Sequence, residues 1–160
     1  MGMSLQFYAG DKDVIIDAVA FEELDELEEL EDDGLSTDFR LHLQPQDLNP
    51  LFHIVSGLYG DHTFGLREKL DTRDYYFDAP DRGAFFVEDG VKEVFAQCDL
   101  SMAVGLANSW DKKLKEVHPD LASTLAEDAV EPIRELIRIC QVAVQEDYDL
   151  VHVWYGHSLF

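Results

Sequence analysis

Basic residues are scarce in this chain. Twelve lysines and arginines stand against 34 aspartates and glutamates, a formal charge of −22 at neutral pH with histidine uncharged. Nucleic acids and anionic membranes are polyanions, so neither is expected as a direct partner. Long apolar runs are missing too: no stretch approaches the roughly 18 residues of a membrane-crossing helix. The opening MGMSLQFYAGDKD has no basic segment ahead of an apolar one, so no signal peptide is expected. Cysteine is nearly absent. The two present, Cys98 and Cys140, fall among apolar helical positions. Buried reduced thiols in a cytoplasmic protein suit them better than a disulfide or a metal pair.

Motifs of established chemistry are also wanting. Neither G-x-G-x-x-G nor G-x-x-x-x-G-K-[ST] occurs, and no His-x-x-x-His pair, Cys-x-x-Cys pair or nucleophile elbow organises the six histidines. His53 is expected to face solvent on a helix. His42 and His152 read as hydrogen-bonded strand histidines, and His62, His118 and His157 sit in or beside loops. The segment DTRDYYFDAPDRG, 71–83, does offer hard oxygens in Asp71, Asp74, Asp78 and Asp81. Its spacing is not that of a calcium loop, and Arg73 and Arg82 partly neutralise it. A surface loop pinned by Tyr75, Tyr76 and Phe77 is the expectation. No catalytic residue, metal or cofactor is assigned, and the reading leans away from an enzyme.

What the chain does have is material for a core. Ten Phe, six Tyr and two Trp within 160 residues are enough for one domain, 1–160, rather than a disordered chain. SLQFYA (4–9) reads as a strand closed by Gly10. From Asp11 or Asp13 a helical pattern runs to about Asp33 and stops at Gly34. TDFRLHL (37–43) alternates as a half-buried strand. Asn49-Pro50 opens a helix with Leu51, Ile54, Val55 and Leu58 inward, ended by Gly60. Residues 61–83 read as irregular. Asp89-Gly90 is a hairpin signal, yet Val91, Val94, Phe95, Cys98 and Met102 form a helical stripe, so a strand at 84–88 followed by a helix is preferred. A second stripe, Leu100, Ala103, Val104, Ala107, Leu114 and Val117, points the other way, which a break near Asp99 reconciles. Pro119 ends that segment. A short helical piece is expected over 120–130, and Glu131-Pro132 opens a further helix with Ile133, Leu136, Ile137, Cys140 and Val144 inward. DLVHVWYG (149–156) reads as a buried strand. The fold class is therefore α/β (α+β): a single compact domain with a small mixed sheet of three to four strands packed by about five helices.

The negative charge is unevenly placed. Residues 1–40 hold 13 acids against Lys12 and Arg40, half of the net total, which salt adaptation alone would not produce. Within them, FEELDELEELEDDG (21–34) has nine acids and no base. On one continuous helix, Ile16, Val19, Ala20, Leu24, Leu27 and Leu30 make a docking face, and Glu22, Asp25, Glu26, Glu29 and Asp33 an outer acidic strip. Phe21, Glu23 and Glu31 do not fit: Phe21 lies at the edge of the acidic sector, and both glutamates fall in the apolar one. A local kink that turns Phe21 inward is the plain reading, with fraying freeing Glu31. The alternative is an exposed aromatic anchor ringed by carboxylates. Ten like-charge pairs at i,i+3 and i,i+4 cost roughly 2–5 kcal/mol at low salt.

Such a helix is relieved by a basic partner. The expectation is a small acidic binding protein that engages a basic protein through Phe21, Glu22, Asp25, Glu26, Glu29 and Asp33, an inhibitor or immunity-type role being one analogy. The alternative is an enzyme or small-ligand protein with a pocket near the 71–83 loop and the C-terminal strand, using His152, Tyr155 or Asp78. A generic acidic protein of a saline cytoplasm is a third.

Overall fold

Side-chain alternation decides which side of the sheet each strand residue serves. The computed structural model of the chain describes residues 3–39, 45–59, 76–87, 89–119 and 125–156. Among them are five strands: β1 (Met3–Gly10), β2 (Ser36–Phe39), β3 (Tyr76–Asp78), β4 (Arg82–Val87) and β5 (Asp149–Gly156). They form one sheet in the order β2-β1-β5-β4-β3. Every neighbouring pair is antiparallel, so the mixed sheet of three to four strands expected from the sequence is an antiparallel one of five.

Leu5, Phe7 and Ala9 of β1 point to one face together with Phe39, Phe85, Val87, Leu150 and Trp154. That face is covered by α3 (Asn49–Tyr59), α4 (Asp89–Ala96), α5 (Ala103–Val117) and α6 (Leu125–Glu146). The other face carries Tyr8, Ala84, Val151 and Val153, and packs against α1 (Lys12–Ala20) and α2 (Leu24–Asp32). The result is three layers, thick on one side and only two short helices deep on the other. On the thin side, α1 lies over β4 and β5, and α2 over β1 and β2.

Several sequence readings change. The helix expected from Asp11 to Asp33 is two helices, broken at residues 21–23. Part of the stretch read as irregular is the β3–β4 hairpin, closed by Ala79 N donating to Arg82 O at 2.9 Å. A three-residue strand is too short to show alternation. Residues 40–43 and 60–75 lie outside the described residues. Asp89-Gly90 opens α4, which leaves the preferred strand-then-helix order standing. The break at Asp99 is a 3₁₀ turn, Leu100–Met102, whose first amides are capped by the Asp99 carboxylate.

Pro132 does not open a helix but lies inside α6. A proline there removes one hydrogen bond, yet Ala129, Ile133, Leu136, Ile137 and Cys140 are all fully buried, and their packing carries the helix through. Thr37 Oγ1 donates to the Pro132 carbonyl at 3.2 Å. α5 buries Ala103, Leu106, Ala107, Trp110 and Leu114, so Val104 and Val117 are exposed rather than inward, as is Val144 on α6. Trp110 decides that rotation, because its ring is wholly buried while Nε1 donates to Asp47 O at 2.8 Å. Cys98 and Cys140 are buried thiols, neither of them in a disulfide. Burial pushes the Cys140 thiol far up, out of the reactive range.

Candidate functional site: the acidic helix and the cleft beneath it

The α1–α2 corner is a helix-terminating motif built without its usual glycine. Glu22 N donates to Val19 O at 3.4 Å and Glu23 N to Ala18 O at 2.8 Å, with Glu22 in the left-handed region at φ 57°. This is the Schellman pattern. The same pattern ends α2 twelve residues later, where Gly34 holds the left-handed position at φ 73°. A side chain there costs about 1–2 kcal/mol. Arg82 offsets this at the first corner: Nε donates to Val19 O at 2.8 Å and Nη2 to Ala20 O at 2.9 Å. Its Nη1 lies 3.2 Å from Glu22 Oε1 and 3.0 Å from Asp81 Oδ1. A guanidinium from β4 thus satisfies the last carbonyls of α1 and anchors the residue that turns the chain.

The break resets the phase of α2, and it throws Phe21 outward. Phe21 is 73% exposed, so the kink exists but does not turn the ring into the core. Glu23 becomes the residue before α2 rather than a glutamate in its apolar sector. Within α2 only Leu27 is buried; Leu30 is half-buried and Leu24 is 51% exposed, against the expectation that all three dock. Asp25, Glu29 and Asp32, at i, i+4 and i+7, run along the outer side, with Asp33 beside them and Glu26 on the flank. Glu22 stands apart from this strip, held by Arg82. Three of the ten like-charge pairs cross the break and drop out. The seven within 25–33 cost roughly 1.4–3.5 kcal/mol at low salt.

Leu24 is exposed because α2 stands off from the sheet. Between them lies a cleft of about 280 Å³. Leu24, Leu27, Glu28 and Glu31 line it from the helix, a stripe at i, i+3, i+4 and i+7. Gln6 and Tyr8 of β1 and Tyr155 of β5 line it from the sheet. Glu31 therefore has a place without fraying: it faces the cleft. Its carboxyl is raised above the ordinary range, first by burial, then by Glu28, Asp38 and Asp32. Tyr8 OH donates to Gln6 Oε1 at 3.1 Å, and Gln6 Nε2 reaches Asp38 Oδ2 at 3.5 Å. The Tyr155 hydroxyl is buried and has no hydrogen-bond partner among the described residues. Burial raises its pKa, opposed by Arg82 and reinforced by Glu22, Glu31 and Asp81.

Other sequence candidates fall elsewhere. His152 lies on the opposite face, fully buried against Phe7, with Nδ1 2.9 Å from Gln6 O, which makes Nδ1 a donor to that carbonyl. His53 is exposed on α3, and His118 pairs with Asp47 at 3.0 Å. Asp78 and Asp81 flank the β3–β4 turn; Asp71 and Asp74, like His42, His62 and His157, lie outside the described residues. Among the described residues no group of three His, Cys, Asp or Glu is arranged to hold a metal ion, and no helix is long and apolar enough to cross a membrane. Sequence reasoning missed Gln6, Tyr8 and Arg82. The one signal was Glu31, a carboxylate on an otherwise apolar stripe. No family model, curated protein or solved structure matches this chain.

Proposed function

We propose that this protein binds a basic protein partner through the α1–α2 corner and the outer side of α2. The observation that carries the reading is Phe21, a large ring 73% exposed at the head of a carboxylate strip. An aromatic anchor beside charge of one sign is the arrangement of a binding hot spot with a steering field around it. Half of the net charge lies in residues 1–40, so the field is strongest at this part of the chain. An inhibitor or immunity-type role, in which such a surface neutralises a cationic protein, remains an analogy of charge and size.

The test is capture at low ionic strength, identification of the captured protein, and titration of the purified pair. Replacing Asp25, Glu26, Glu29 and Asp33 together by their amides weakens binding and leaves the fold intact or slightly stabilised. Equal affinity in the quadruple variant ends the reading. Phe21→Ser separates docking from bulk attraction: docking loses about thirtyfold or more, whereas unspecific attraction does not depend on the ring.

A further inference from the structure

We propose that the cleft between α2 and the β1–β5 floor receives one arginine side chain of the basic partner. The inference rests on the reading above and adds what the partner must present. The cleft is an open concavity of about 280 Å³ between α2 and the sheet. Its stripe on α2 runs from two leucines to two glutamates, so the cleft is apolar at one end and lined with negative charge at the other. Leu24 and Leu27 with the rings of Tyr8 and Tyr155 suit an aliphatic stem. Glu28 and Glu31, one turn apart, suit its cationic head.

Three features favour guanidinium over ammonium. A planar fork of five donors can serve two carboxylates and a phenol at once, where an ammonium has three. The buried Tyr155 oxygen has no hydrogen-bond partner among the described residues and offers lone pairs to such a donor. Tyrosine faces also stack on guanidinium planes. Among the described residues, Arg82, opposite Tyr155 in the sheet, is spent on the carbonyls of α1, Glu22 and Asp81. It is not available to fill the site from within.

The test uses small probes, N-acetyl-arginine amide, N-acetyl-lysine amide and N-acetyl-citrulline amide, titrated into the full chain at low ionic strength and followed by NMR. The arginine probe is expected to shift the amides of residues 24–31 and the ring signals of Tyr8 and Tyr155. Citrulline, isosteric and uncharged, is expected to be silent, and lysine weaker than arginine. Glu31→Gln weakens the arginine response about tenfold, while Asp17→Asn, which removes an equal charge from the exposed side of α1, leaves it unchanged. A thermal melt confirms that both variants fold. Shifts spread along the outer strip, indifference to Glu31→Gln, or an equal response to citrulline overturns the proposal; an equal response to lysine overturns the guanidinium assignment. The two readings fail separately. Loss of partner capture in Phe21→Ser with a silent arginine probe sinks the cleft alone, and a saturable arginine response without any basic protein captured sinks the partner reading alone.

Discussion

Gly83 shows how little room a single position can have. A methyl group built on its Cα would overlap the indole of Trp154, opposite it on β5 and only 5% exposed. The ring is buried and cannot swing away, so Gly83→Ala is expected to cost about 1–3 kcal/mol through overpacking, read as a lowered urea midpoint at unchanged slope. Gly34 is constrained differently. Its surroundings are open, the nearest atoms being the Arg138 guanidinium nitrogens at 3.9 Å, but its φ of 73° belongs to the left-handed region. Gly34→Ala is expected to cost about 1–2 kcal/mol from backbone strain alone. Glu31 supplies a pH test. A carboxyl whose folded pKa is raised prefers its protonated form in the fold, so its ionisation removes stability as pH climbs through the raised value. Glu31→Gln should therefore be more stable than the wild type at neutral pH. The difference should vanish as pH falls below the ordinary glutamate value of 4.5, measured by denaturation across that range.

At the scale of elements, α2 is a helix at odds with itself. Glu29 takes part in four of its seven like-charge pairs, with Asp25, Glu26, Asp32 and Asp33. Glu29→Lys turns each repulsion into an attraction and is expected to stabilise the fold by roughly 1.6–4 kcal/mol at low salt. Most of the gain should disappear in molar salt, where screening reaches about 3 Å. The first and last strands of the chain, β1 and β5, and the helices α3 and α4 were legible in the sequence because period and end signals agreed. The α1–α2 break was legible only as a kink at the misfitting Phe21 and Glu23, since the residue that announces such a corner is glycine and here it is Glu22, held by an arginine sixty residues away. β3 was too short to carry a period. The run of α6 through Pro132 was hidden because tertiary packing, with fully buried residues on both sides of the proline, overrode a strong local signal. Of the cleft, Glu31 left a trace as a misfit, and Tyr155 as a polar candidate on the last strand. Its floor joins residues of β1 and β5, whose adjacency no local pattern encodes.

Taken whole, the molecule is asymmetric in depth and in charge. Four helices bury one face of the sheet, and two short ones, with most of the acids of the first forty residues around them, cover the other. A net charge of −22 compressed into one fold opposes itself, so the melting temperature is expected to rise with added sodium chloride. A flat response would mean that the charges are already neutralised by bound counterions. The same salt should weaken partner capture, so stability and binding are expected to move in opposite directions.

The strand order has a kinetic consequence. β5 lies at the centre of the sheet, between β1 and β4, and its His152 meets Gln6 across 146 positions of sequence. The β3–β4 hairpin can close early, and β2 can find β1 over a loop of about thirty residues. Neither half has a common edge until β5 slides between them. Closing so long a loop is slow, because its entropy is lost before its contacts are gained. Until that moment β1 and β4 expose the flanks that the finished sheet hides, and the growing chain is most open to mispairing with other copies of itself.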